Sequence, residues 1–293
     1  DGGADTDTLD LDAYTTNVDF TISGAGSVDG LDGSTAGTPN NPVGGTFADI
    51  NSLISDGEGA STLTGPNSTN TWIIDGSNSG TLNGTLFSGM ANLVGGTGDD
   101  EFDFDAVETP PSSGSYIFGL IDGALDGGLG SDTIDISDYP ADNMVVFTLS
   151  GDGTLDGVAG LTSATSPHTN PVGDTFDNIN VLIGNGNTDT MTGPNQTNTW
   201  VIDGVDTGTI NVLRFVGFPN VAGGTGEDTF TFTNSGSLTG TVGINGGLGS
   251  DTVVGDDDGN SFRVEGSDLG KEAGKFTSLT GGFVGVENLT GGS

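Results

Sequence analysis

Apolar residues in this chain fall in short clusters at alternate positions, and each cluster is closed by Gly, Asn or Asp. In Glu101–Phe104 (EFDF) and Thr229–Phe232 (TFTF) the alternation is strict. Phe102 and Phe104 share one face, as do Phe230 and Phe232, which is the period of a half-buried strand. The same reasoning predicts strands at Trp72–Asp75, Tyr116–Leu120, Val145–Leu149 and Trp200–Asp203, and extends the two Phe segments to Phe102–Asp105 and Phe230–Thr233. Turn residues recur too often, and the strands are too short, for a wide sandwich.

The clusters recur in order. GPNSTNTWIIDG at Gly65–Gly76 returns as GPNQTNTWVIDG at Gly193–Gly204, displaced by 128 positions. NPVGGTF at Asn41–Phe47 returns as NPVGDTF at Asn170–Phe176, and GGTGDDEFDF at Gly95–Phe104 as GGTGEDTFTF at Gly223–Phe232. DGGLGSDTIDI at Asp126–Ile136 returns as NGGLGSDTVV from Asn245 and is anticipated by DGGADTDTLDL at Asp1. A third copy is shortened: Gly246–Gly266 aligns without a gap on Gly184–Gly204. Loss of a segment in register is tolerated where structural units stack one on the next.

The expected fold is therefore all-β: a right-handed parallel β-helix or β-solenoid built from repeats of about 120–130 residues. Its units are expected at 1–125, 126–244 and 245–293, as one continuous stack that reads as a window cut from a longer array. Short strands stack about 4.8 Å apart along the axis. Recurrent Asn and Thr form side-chain ladders between coils. Trp72, Trp200 and Phe262 occupy equivalent positions and are expected to fill the core.

Composition supports this and removes alternatives. The 55 Gly and 10 Pro among 293 residues leave no room for long helices, since glycine costs about 1 kcal/mol per helical position relative to alanine. The formal charge is −37, with Arg214, Arg263, Lys271 and Lys275 the only basic residues besides one His. Such a surface repels nucleic acid and anionic membrane and attracts cations. There is no Cys, so disulfides and thiol chemistry are excluded. No apolar run approaches the ~20 residues of a membrane helix.

Candidate chemistry lies in the turns. G-G-x-G-x-D-x-(apolar) occurs at Gly95–Phe102, Gly127–Ile134, Gly223–Phe230 and Gly246–Val253, with looser forms at Gly2–Leu9 and Gly184–Met191. This resembles the RTX, or hemolysin-type calcium-binding, repeat of secreted bacterial proteins. The resemblance implies Ca2+ held between neighbouring coils by the motif carboxylates and by carbonyls of the glycine turn. It assigns these roles to Asp100, Asp132, Asp228 and Asp251, with Asp7 and Asp189 as weaker members, and to the turns opened by Gly95, Gly127, Gly223 and Gly246. Calcium takes several hard oxygen ligands, and glycine lets main-chain carbonyls turn inward. The family sets its motifs in uninterrupted tandem. Here Asp132 follows Asp100 by 32 positions and Asp251 follows Asp228 by 23, so the sites require coils of that length with turn stacked on turn. The acidic run Asp256–Asp258 is another cation candidate, but it lacks the full EF-hand spacing and reads rather as a solvated loop.

The whole arrangement resembles the repeats of very large bacterial extracellular proteins, the surface adhesins and filamentous, hemagglutinin-like β-solenoids. The resemblance covers essentially the entire chain. It implies a secreted or cell-surface segment of a fibre or adhesin shaft, with self-assembly or matrix polysaccharide as partner, and no nucleic acid or membrane insertion. A module that grips polysaccharide along one face is the second reading. A polysaccharide lyase or epimerase on the same scaffold is the remote one. That enzyme needs a unique acid–base cluster, whereas nearly every carboxylate here recurs between units. The single His, His168, is expected in an exposed loop, Tyr14 and Tyr139 serve the repeat, and no catalytic residue is assigned.

Overall fold

The computed structural model describes residues 1–14, 16–37, 41–56, 61–186, 188–233, 236–256, 262–266, 269–272 and 279–291. Among them all regular structure is β, and no helix is long and apolar enough to cross a membrane. The chain forms two compact units. The first comprises Asp1–Tyr139 with Thr154–Asp156 and Asn170–Ile179; the second comprises Pro140–Gly153, Gly157–Thr169 and Asn180–Ser293.

In the first unit the chain passes back and forth between two sheets. One sheet runs Thr8–Asp10, Ser52–Ile54, Thr85–Ser88, Ser79–Leu82, Asn70–Gly76, Asp100–Phe104, Thr133–Asp135. The other runs Thr175–Ile179, Leu125–Gly128, Asn92–Gly96, Thr62–Thr64, Val18–Ala25, Leu31–Gly37, Thr46–Ile50. Strands that follow one another within a sheet after a crossing pair in parallel. Trp72 lies beside Phe102 and Phe102 beside Ile134. On the other sheet Phe20, Leu63, Leu93, Leu125 and Phe176 form an unbroken file.

The second unit repeats the plan. Trp200, Phe230, Val253 and Leu289 form one file, and Phe147, Met191, Val221, Ile244 and Phe283 the other. The inward positions of these files are the core. Trp72, Trp200, Phe102, Phe147 and Phe230 are wholly buried. Trp72 stacks on Phe102 with centroids 5.4 Å apart, and Trp200 on Phe230 at 5.5 Å. Each large side chain buried this way contributes about 1.5–3 kcal/mol. The expectation that Trp72 and Trp200 fill the core holds; the Phe262 side chain lies outside the described residues.

The parallel plan is interrupted by antiparallel excursions that the sequence reading did not contain. Asn70–Gly76, Ser79–Leu82 and Thr85–Ser88 form a three-strand meander inside one sheet of the first unit. Thr199–Gly204, Thr207–Ile210 and Leu213–Val216 repeat it in the second unit. The tight turns use Asn78 and Asp206 at φ of 52°, which Asn and Asp tolerate better than other side-chain-bearing residues.

Candidate cation-binding turns

The Trp-bearing strand of each unit and the parallel strands stacked after it open at or just after a buried Asn or Asp, at Asn70, Asp100 and Asp132 in the first unit and at Asn198, Asp228 and Asp251 in the second, and these residues form a ladder. In the first unit Asp132 Oδ1 accepts the backbone N–H of Asp100 at 2.8 Å, and Asp100 Oδ1 accepts that of Asn70 at 2.9 Å. Asn83, in the meander, closes the ladder: its Nδ2 donates to Asn70 Oδ1 at 3.0 Å and its Oδ1 accepts the Thr71 N–H at 3.0 Å. In the second unit the order is Asn211, Asn198, Asp228, Asp251, Glu287. Asp228 Oδ1 accepts the Asn198 N–H at 2.8 Å, Asp251 Oδ1 the Asp228 N–H at 2.8 Å, and Glu287 Oε2 the Asp251 N–H at 2.7 Å.

The ladder shows that the isolated motifs do stack, turn on turn. The coil from Asp100 to Asp132 and the coil from Asp228 to Asp251 each bring two motif turns into direct register. The structure thus brings together Asp100 with Asp132, and Asp228 with Asp251. Their leading glycines lie against the carboxylates. A Cβ on Gly95 or Gly223 would collide with Oδ2 of Asp100 or Asp228 and with the main-chain carbonyl of Gly127 or Gly246 in the next turn. Gly127 and Gly246 stand in the same way against Asp132 and Asp251.

Electrostatics at these turns is one-sided. Asp100, Asp228 and Asp251 are essentially inaccessible, and the Oδ2 of each has no hydrogen-bond donor. Burial pushes the Asp100 carboxyl up to about 7; the Asn70 amide opposes this and Asp132 adds to it. Burial likewise raises Asp132 to about 6, and it raises Asp228 and Asp251. A buried ionised carboxylate without a counter-charge costs several kcal/mol. Among the described residues no three His, Cys, Asp or Glu side chains converge. An ion here would therefore be held by one carboxylate with glycine-turn carbonyls, a hard-oxygen set of the kind Ca2+ accepts. The orphaned Oδ2 atoms make these turns fit such an ion.

The weaker members differ. Asp189 is wholly buried and raised to about 7 by burial. Both its oxygens are used, however: Oδ1 accepts Val145 N–H at 2.9 Å and Oδ2 accepts Asn185 N–H at 2.8 Å. Asp7 is half-buried with an unpartnered Oδ2, and its N–H donates to Asn51 Oδ1 at 2.9 Å, the same rung pattern. Asp256 is buried rather than solvated; Asp257 and Asp258 lie outside the described residues.

Sequence reasoning expected Asn ladders between coils, and Asn70 and Asn198 form them, but it did not place these two residues in one file with the motif Asp, and it missed Glu287 altogether. The signal was present for the first two: the Asn of TNTW stands two residues before Trp, as Asp100 stands two before Phe102. Glu287 occurs in a turn that lacks the glycine spacing, and only the register of Asn288 beside Thr252 reveals it.

Other candidates resolve simply. His168 is half-buried, lining a shallow recess with Met144, Val146 and Ser163, rather than fully exposed. Arg214 pairs with Asp203 at 2.8 Å on the surface, a contact worth about 0–1 kcal/mol. The Tyr139 hydroxyl donates to the Gly119 carbonyl inside the core. Among the described residues Tyr116 is the one exposed aromatic.

Comparison with known protein families, with curated proteins and with solved structures returns no match.

Proposed function

We propose that this chain is a section of a right-handed, two-sheet β-solenoid built from repeats of about 120–130 residues, serving as a rigid shaft in a secreted or cell-surface fibre or adhesin. Hydrogen-bonded pairing along the sheets of each unit, parallel between coils and antiparallel within the excursions, supports the mechanical part of the reading: successive coils are hydrogen-bonded to one another and each carries its own slice of core. The acidic surface suits a partner that is uncharged or cationic, such as matrix polysaccharide, or a second copy bridged by cations.

In this reading Ca2+ binds at the Asp-bearing turns and stiffens the shaft. The observation that carries it is the buried, donor-free Oδ2 of Asp100, Asp228 and Asp251 facing glycine turns. When bound, the ion supplies the positive charge that the fold itself does not. Repeated carboxylates thus serve the turns and not a reaction. A glycan-gripping face receives no support from the aromatics, since those described are core residues apart from Tyr116, half-buried Tyr14 and half-buried Phe118.

The test is a thermal melt of the same sample in millimolar calcium and in chelator. A site filled at a hundredfold excess over Kd contributes about 2.7 kcal/mol, so several sites move the midpoint by many degrees. Superimposable melts in the two buffers would remove calcium from the function and leave a self-sufficient acidic shaft.

A further inference from the structure

Two rungs of the ladder hold Asn where the others hold Asp, and their surroundings are unusual for an amide. Asn70 Nδ2 lies 2.6 Å from Ser68 O, 2.6 Å from Asp100 Oδ1, 3.0 Å from Pro66 O and 3.2 Å from Gly95 O. Asn198 Nδ2 repeats this, 2.8 Å from Gln196 O, 2.7 Å from Asp228 Oδ1, 3.0 Å from Pro194 O and 3.1 Å from Gly223 O. Four acceptors surround a group that owns two hydrogens. Both side chains are buried, at 1% and 0% exposure. This is an oxygen cage, with one of its four members a carboxylate.

Asp100 occupies the next rung. Its Oδ2 stands against Gly95 and the Gly127 carbonyl as Asn70 Nδ2 stands near Gly65 and the Gly95 carbonyl. Asp228 Oδ2 stands in the same way against Gly223 and the Gly246 carbonyl. One position in the repeated turn therefore carries N–H donors on one rung and an unpartnered carboxylate oxygen on the next.

We propose that Asn70 and Asn198 supply, through their amide hydrogens, the positive end that a bound divalent cation supplies at Asp100 and Asp228. This rests on the cation reading of the Asp-bearing turns and deepens it. The identity of one residue, Asn or Asp, decides whether a turn is closed by the chain itself or by an ion. The Asn rungs also hold Asp100 and Asp228 from one side: each amide donates to the Oδ1 of its Asp, leaving Oδ2 for the ion. Each ladder is thus anchored, beside the antiparallel meander, by a rung that needs no metal.

The conversion Asn70→Asp tests it. The new carboxylate keeps the acceptor that Asn83 uses, and it places a second oxygen among four others. Calcium stoichiometry by titration calorimetry, with terbium luminescence as a second probe, is expected to rise by one ion per chain. The midpoint in chelator is expected to fall, and millimolar calcium to restore it. Asp100→Asn is the reverse variant, safe if the first fails to fold: it is expected to lose one ion and to melt higher in chelator than the parent. If the parent binds calcium and neither variant changes the count, the Asn proposal is overturned while the cation function stands. If the parent binds none but Asn70→Asp binds one, the cage is real and the native cation function is overturned. If neither binds, both fall.

Discussion

Asp132 reaches back across one coil to accept the backbone N–H of Asp100, so a side chain in one turn completes the main chain of another 32 residues away. The two functions of such a residue are separable. Asp132→Ala removes the acceptor and leaves a buried N–H unpaired, which costs about 1–3 kcal/mol. Asp132→Asn keeps Oδ1 as acceptor and removes a buried charge. In chelator, urea denaturation is expected to show the alanine variant destabilised by that amount and the asparagine variant at least as stable as the parent. Equal losses in both would mean that the charge, not the hydrogen bond, holds the rung.

The pH dependence without metal follows from burial. Asp100 titrates at about 7 and Asp132 at about 6, both above the ordinary carboxylate value of 3.8. The native state thus holds protons that the unfolded chain releases between about pH 4 and 7. Stability in chelator falls as pH rises through that window and levels off above it. Asp103, raised to about 6 by burial and by Asp135, acts in the same sense. Asp49 and Glu108 are lowered by backbone donors, and their contribution is lost only below the ordinary carboxylate range. Saturating calcium competes with the protons at Asp100 and Asp132 and is expected to flatten the slope between pH 5 and 8. Melts at these two pH values in both buffers check it; stability in chelator that rises with pH would refute the assignment.

Much of this was legible because period-2 alternation and turn chemistry are local. The predicted strands at Trp72, Phe102, Tyr116, Val145, Trp200 and Phe230 all exist, with ends displaced by at most three residues. What escaped is non-local. The sequence alignment of Gly246–Gly266 on Gly184–Gly204 is sound as a match of turns, yet within the second unit the matched strands lie in opposite sheets. Thr190–Thr192 belongs with Val146–Asp152, while Thr252–Val254 belongs with Thr229–Phe232. A chain that alternates between two sheets repeats its environment every half coil, so residue pattern fixes the phase of a turn and not its side. The meanders escaped for a related reason: a strand read locally has no direction. An Asn ladder was legible from the recurrent TNTW phrase; that Asn70 shares its file with Asp100 was not, because an Asn before a strand and an Asp in a glycine turn each have an adequate local explanation.

Glycine at the motif turns answers to the neighbouring coil as well as to its own backbone. Gly128 has φ of 91°, and a Cβ there would strike the Gly96 carbonyl of the coil before it. Gly44 lies in a loop of the same unit with nothing within 4 Å of a built Cβ. Gly128→Ala is expected to destabilise by several kcal/mol, combining about 1–2 kcal/mol of backbone strain with displacement of a stacked turn. Gly44→Ala is expected to be neutral or slightly stabilising, by up to about 1 kcal/mol. Denaturation midpoints of the two variants, compared with the parent, decide the matter; similar effects would show that the coils do not approach as closely as described.

Trp72 and Trp200 offer the sharpest test of the stacked core. Each is wholly buried over a phenylalanine of the next coil, and the indole Nε1–H of each lacks an acceptor. A buried, unpaired donor offsets part of what the ring contributes. Trp72→Ala is expected to cost about 3–5 kcal/mol through the cavity it leaves beneath Phe102 and beside Phe87. Trp72→Phe keeps an aromatic face on Phe102 and removes the stranded donor, so its cost is expected to be well under half of that. Because the chain has only these two tryptophans, the single-Trp variants also report on their units separately. Native emission from either is expected to be blue-shifted and protected from acrylamide, and to shift red only on unfolding. Quenching of one tryptophan under native conditions would mean that its file is open to water, and the parallel stack in that unit would have to be redrawn.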